Sequence, residues 1–169
     1  SDFATKLGMK YAVAVQSATA GLILALRACD VGPGDEVITV GNSDISTTAA
    51  ISIIGATIVL VDILESDYTM DCSQVASAVT DRTKVILPVD LYGHPSDCIA
   101  LRKIADERGI KIIEDAALAM GARYANHHVG FYSDLTIISL AASKPLPSSG
   151  NAGMVVTDNS ELAEKVSLY

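Results

Sequence analysis

Three short stretches carry side chains or backbone able to do chemistry. In "SLAASKPLPSSGNAG" (139–153), Lys144 is the only Lys or Arg between Arg123 and Lys165. Small residues precede it, and Pro145 and Pro147 stiffen the chain after it. An amine held in a partly desolvated place becomes a neutral nucleophile, whereas taken alone the residue reads as a solvated loop charge. Ser139 stands five positions before it, at the end of the apolar run "LTIIS". In "IIEDAA" (112–117), Glu114 and Asp115 end another apolar run. One of the acids could simply cap the next element, or a carboxylate could face a protonated heterocycle nitrogen. An opposed charge at ~4 Å is worth ~4 kcal/mol at an effective dielectric near 20. Before desolvation is subtracted, that raises the partner's pKa by about three units. Finally, "SATAG" (17–21) joins a run to a helical segment through small residues only. Free amides at a helix start can hold a phosphate when small side chains let the anion close; the same composition also serves tight packing.

These pieces need a frame that gathers them. Apolar runs "YAVAV" (11–15), "EVITV" (36–40), "TIVLVDI" (57–63), "KVILPV" (84–89), "IKIIEDA" (110–116), "LTIISL" (135–140) and "GMVVT" (153–157) read as strands. Between them, residues 18–29, 46–54, 71–79 and 96–109 read as helices, with Ser46 as an N-cap, Gly109 as a C-terminal stop and a last helix from about Asp158. This alternation predicts an α/β fold: a mainly parallel sheet with helices on both faces. In such sheets ligands collect beyond the carboxyl ends of the strands, which is where these three stretches stand together with "GNSDIS" (41–46) after the second run.

Composition narrows the partners. The 169 residues suit one domain, residues 1–169, and half of them are hydrophobic with two Phe and no Trp. A net charge of −8 without clustered Lys and Arg argues against nucleic acid. The longest apolar stretch is broken by Gly55 and too short for a bilayer, so no membrane role is expected. Cys29, Cys72 and Cys98 lack metal-ligand or redox spacing and read as reduced structural thiols of a cytoplasmic protein. His127 and His128, placed at a hairpin tip, and His94 in a turn do not read as a metal site. Tyr92 and His94 fall either at the mouth of the site or in a structural turn. No GxGxxG or GxxxxGK[ST] signature supports a nucleotide-binding domain.

A phosphate turn, an acid for a ring nitrogen, a serine and a lysine are the parts of a pyridoxal phosphate site. Their order matches a family. Through "SATAGLILAL", "VGPGDEVITV", "GATIVLVDI", "TKVILPVDLYGHPSD", "IIEDAALAMGARY" and "GNAGMVVTDNSELAEK", the chain resembles the DegT/DnrJ/EryC1/StrS sugar aminotransferases of the fold type I pyridoxal phosphate group. The resemblance implies that Lys144 is the Schiff-base lysine and Asp115 the partner of the pyridine nitrogen. It further implies that Ala18 and Thr19 hold the phosphate with Ser139, and that Glu114 is structural. The implied reaction moves an amino group from an amino acid, Glu or Gln, to a keto group on a nucleotide-linked sugar, in a homodimer. Lys144 argues against the family branch that carries histidine there and dehydrates sugars. Three positions depart from the family pattern. Asp44 stands where an aromatic usually stacks on the cofactor, Leu118 where Gln or His approaches its phenolic oxygen, and Leu140 where Phe is usual. The competing expectation is a non-catalytic cofactor-binding or dimerisation module of the same fold. The abrupt ends of the chain lead one to expect a fragment, and the resemblance implies that a C-terminal small domain belongs with it.

Overall fold

The computed structural model describes residues 2–169. A short helix, α1 (Asp2–Lys6), leads into strand β1 (Tyr11–Val15) and helix α2 (Ala18–Ala28). Then come β2 (Glu36–Val40), α3 (Ile45–Ile53), β3 (Thr57–Val61), α4 (Cys72–Ala78) and β4 (Thr83–Ile86). The second half holds α5 (Cys98–Arg108), β5 (Lys111–Asp115) and a two-stranded hairpin, β6 (Arg123–Tyr124) and β7 (His127–His128). Strands β8 (Leu135–Ser139) and β9 (Gly153–Thr157) and helix α6 (Ser160–Leu168) complete the chain.

The seven long strands form one sheet in the order β1-β9-β8-β5-β4-β2-β3. Every pairing from β8 to β3 is parallel; only β9 runs against its neighbours β1 and β8. The strands β2 and β8 are buried at every position, as near-continuous Val, Ile and Leu runs require when both faces are covered.

Alternation along β8 separates the two faces. Ile137 packs with Val15 and Val155 beneath Gly21 of α2, so the odd positions face α2. Thr136 and Ile138 turn the other way, towards Met9 and the segment around Ala116, Ala119 and Val129. Register carries this parity into β5, where Asp115 lies beside Ile137 and Glu114 beside Thr136. Asp115 reaches Thr47 of α3, and Glu114 reaches Cys98 of α5. Helices α2 and α3 therefore cover one face and α5, with α4 against it, the other. The expected mainly parallel sheet with helices on both faces is what the chain forms.

Local signals set the helix ends. Ser17, Asp71, Asp97 and Asn159 cap α2, α4, α5 and α6 through side-chain oxygens on the first-turn amides. Gly109, at φ 66°, ends α5 in the left-handed conformation. Two placements differ from expectation. Asp44, not Ser46, caps α3, since an extended Asp44 puts its carboxylate on the Ser46 amide. In the hairpin, Ala125 and Asn126 take the positive φ angles of the tip, leaving His127 and His128 in its return strand. No helix among the described residues is long and apolar enough to cross a membrane.

Candidate active site

The carboxyl ends of β1, β2, β5 and β8 open into a cleft of about 410 Å³. Ala18, Thr19, Asp44, Asp115, Ser139 and Lys144 all line it. Leu118 lies just outside, in a crevice of about 30 Å³ that shares Asp44, Asp115, Ala117 and Lys144 with the cleft. One end of the sheet thus brings together the residues expected to meet the cofactor, Ala18, Thr19, Asp44, Asp115, Leu118, Ser139 and Lys144.

At one end of the cleft, α2 begins. The Ser17 hydroxyl accepts from Ala20 N–H at 3.1 Å and its carbonyl accepts from Gly21 N–H. The amides of Ala18 and Thr19 meet no acceptor among the described residues. Two free amides at the positive end of a helix, behind a serine and two small side chains, form a ready anion cradle. Gly153, the first residue of β9, lies flush against this turn: a Cβ there would sit 2.8 Å from the Ser17 carbonyl carbon and 2.9 Å from the Ala18 nitrogen. Buried Ser139, opposite Gly153 in the sheet, adds a hydroxyl to the same wall.

Asp115 forms the floor. Its carboxylate accepts from the Thr47 hydroxyl at 3.0 Å and the Ala117 amide at 3.2 Å. Burial pushes its pKa above the usual carboxylate range; Thr47, Ala117 and the Lys144 charge pull it back without cancelling the rise. A buried carboxylate whose charge the protein compensates only in part is suited to a cation arriving with a ligand. A protonated heterocycle nitrogen is such a cation.

Lys144 is half-buried on the loop between β8 and β9. Its amide donates to Ala141 O at 2.9 Å, and the neck of the loop closes through Leu140 N–H to Ala152 O and Ser148 N–H to Leu140 O. No ion pair engages its ammonium group among the described residues. Asp44 stands exposed across the cleft, its carboxylate bonded to the Ser46 amide at 2.9 Å and to the Ser46 hydroxyl. Those bonds, with a smaller contribution from Lys144, hold it below the usual carboxylate range, so it is a fixed negative charge. Asp44 thus caps α3 while lining the wall of the cleft.

Glu114 points to the opposite face, where it accepts from Gly130 N–H at 2.6 Å and Ser133 Oγ at 3.0 Å. That is a structural role. Tyr92 is exposed and packs edge-on against Tyr68, while its neighbour Leu91 lines the small crevice. Three contributors escape a reading of the sequence. Ser17 carried a signal, being a serine directly before a helical pattern. Thr47 and Gly153 carried none, since their partners lie 68 and well over 100 positions away.

The model of the DegT/DnrJ/EryC1/StrS aminotransferase family matches residues 1–169. The chain belongs to this family. It is 44% identical over 166 residues to a dTDP-3-amino-3,4,6-trideoxy-α-D-glucose transaminase of Streptomyces venezuelae, covering 98% of this chain and 44% of that one. A UDP-N-acetyl-3-dehydro-α-D-glucosamine 3-aminotransferase of Acidithiobacillus ferrooxidans is 42% identical, over 94% of this chain and 43% of its own length. Among solved structures, NtdA from Bacillus subtilis with bound cofactor PMP superimposes with a TM-score of 0.93 at 37% identity, over 97% of this chain and 37% of that one. The chain spans less than half the length of these relatives.

Proposed function

We propose that residues 1–169 are the cofactor-binding domain of a pyridoxal phosphate-dependent aminotransferase acting on nucleotide-linked sugars. One observation carries the reading: free helix-start amides, a buried under-compensated carboxylate, a serine and an unpaired lysine line one cleft of about 410 Å³. The relatives' names supply the substrate class, a keto sugar on a dTDP or UDP carrier, and a family member holds PMP.

Within the cleft each residue has a task. Ala18 and Thr19 N–H and the Ser139 hydroxyl hold the phosphate. Asp115 keeps a proton on the ring nitrogen, and Thr47 and the Ala117 amide orient it. Lys144 Nζ would anchor the cofactor, and its amine would move a proton to and from the substrate carbon. The cofactor, when bound, supplies the electron sink that stabilises negative charge at that carbon. A second domain in the intact protein contributes the remaining sugar contacts, with Glu or Gln as amino donor. Exposed Ile45, Ile53, Leu60, Leu64, Tyr68 and Tyr92 suit burial against a second copy. The free thiols Cys29, Cys72 and Cys98 suit the reducing cytoplasm.

The test uses the intact protein. Mixed with pyridoxal phosphate, it should develop an absorbance band at the edge of the visible; borohydride should abolish the band and leave a permanent adduct that maps to Lys144 by mass spectrometry. Lys144→Ala should lack both. A wild type that takes up no cofactor would refute the reading. Leu118, an alkyl side chain beside the lysine, favours a second reading, a module that binds cofactor without transferring amino groups. Amino-sugar product from a keto sugar and glutamate decides against it.

A further inference from the structure

Beneath the cleft lie two acids that the proposed chemistry does not use. The chain leaving β4 stays in the sheet: Leu87 N–H donates to Ile38 O, Asp115 N–H to Pro88 O, and Asp90 N–H to Asp115 O at 3.0 Å. Asp90 is thus bonded, backbone to backbone, to the residue on the cleft floor. Its side chain is 1% exposed. Oδ1 accepts from Ser96 N–H at 2.9 Å, while buried Oδ2 meets no protein donor. Glu114, 2% exposed, is the carboxylate that neighbours it.

Two carboxylates cannot touch in a dry interior with both ionised, and no Lys, Arg or His forms an ion pair with either among the described residues. One proton between them removes the conflict and gives Oδ2 its partner. The donors decide where it sits. Glu114 accepts from Gly130, Ser133, Thr136 and the Cys98 thiol, whereas Asp90 accepts only from Ser96. Glu114 is held as the acceptor, so Asp90 is the acid. Burial first and the Glu114 charge second push the Asp90 carboxyl well above its ordinary range. The other charges nearby, Asp44, Asp115 and Lys144, lie across the small crevice that Asp90 also lines.

We propose that Asp90 is a positioning residue: as a neutral acid it donates its proton to Glu114, and this pair locks the strand end that aims Asp115 into the cleft. The role of Asp115 rests on the function proposed above; the shared proton does not.

Two measurements on the intact protein test this. The first is urea unfolding from pH 4.5 to 8 without cofactor, for wild type and Asp90→Asn. The amide keeps an acceptor for Ser96 and a donor for Glu114 but has nothing to titrate. In the wild type the folded state retains a proton that the unfolded chain loses above about pH 4. Wild-type stability should therefore fall with rising pH relative to the variant, by up to about tenfold in the folding constant per pH unit. Parallel curves would overturn the shared proton. The second is pyridoxal phosphate titration followed by absorbance. Asp90→Asn should bind within about twofold of wild type, with the same pH midpoint of the bound band. Asp90→Ala should bind at least about tenfold more weakly or with a displaced midpoint. Asp90→Ser, which keeps an oxygen for Ser96 but falls short of Glu114, replaces it if that variant does not fold. Wild-type affinity and midpoint in the truncated variant would overturn the positioning role. A wild type that binds no cofactor would overturn that role and the functional reading together, while the stability curves still decide the proton.

Discussion

Replacing Gly153 by alanine probes the joint between the lysine loop and the anion cradle. The glycine does not occupy the left-handed region, so the perturbation is purely steric. The new methyl would lie 2.8 Å from the Ser17 carbonyl carbon, 2.9 Å from the Ala18 nitrogen and 3.1 Å from the Ser17 oxygen. Ordinary contact begins near 3.4 Å, and all three atoms are backbone of the turn. They have no rotamer to yield, so relief must displace the Ala18 and Thr19 amides. Overpacking of this kind costs about 1–3 kcal/mol. At about 2–4 °C per kcal/mol for a domain of this size, melting should fall by about 2–12 °C. Misplacing binding groups by about 1 Å costs up to about a hundredfold, so pyridoxal phosphate affinity should drop roughly tenfold to a hundredfold. Gly150 lies on the same loop with nothing within 4 Å of its would-be Cβ. Gly150→Ala should stay within about 0.5 kcal/mol of wild type. Thermal unfolding and an absorbance titration on both variants settle the matter. Wild-type melting and affinity in Gly153→Ala, or equal losses in both, would refute the reasoning.

Thr47→Val removes the hydroxyl that steadies Asp115 at nearly constant shape; a hydrogen bond to a charged group is worth about 1.5–3 kcal/mol, so cofactor affinity measured by titration should fall about tenfold to a hundredfold. Burial pushes Asp134 up, but the Ile112 amide, Arg102 and Lys111 outweigh it and hold the carboxyl below its usual range. Its stabilisation is present above the unfolded value near pH 4 and is lost as pH falls through the folded one. Asp134→Asn should lose about 2 kcal/mol at pH 7 in urea unfolding and show a shallower acid decline. Burial pushes Cys29 up to about 12 and Cys72 up to about 11, so both stay thiols at pH 8. Labelling by a thiol-disulfide reagent should be far slower in the folded protein than in urea.

The sequence carried much of this fold because its signals are local. Largely apolar runs such as "EVITV" and "LTIIS" place buried strands, Gly109 ends a helix in a left-handed conformation few residue types favour, and Ser17 starts one with its side-chain oxygen. The direction of β9 was not legible: "GMVVT" has the same composition whichever way it runs. The site was visible as parts and not as a geometry. Lys144 and Asp115 announce themselves by type, yet what tunes Asp115 comes from Thr47, an unremarkable position in an apolar helix. Asp90 was hidden likewise, since an acid after "KVILPV" reads as a loop residue until its burial beside Glu114 is seen.

The reversed strand has a consequence for motion. Strands β8 and β9 are the arms of one hairpin, and each is paired on both sides within the sheet. Loops with exposed residues usually hang from elements that fray. Here the stems are interior strands, and opening either one breaks two ladders at once. The lysine side chain is free to swing on its tether, while the loop that bears it is held at both ends by interior strands. Mobility and rigidity are thus divided between the loop that bears Lys144 and the two doubly paired strands from which it hangs.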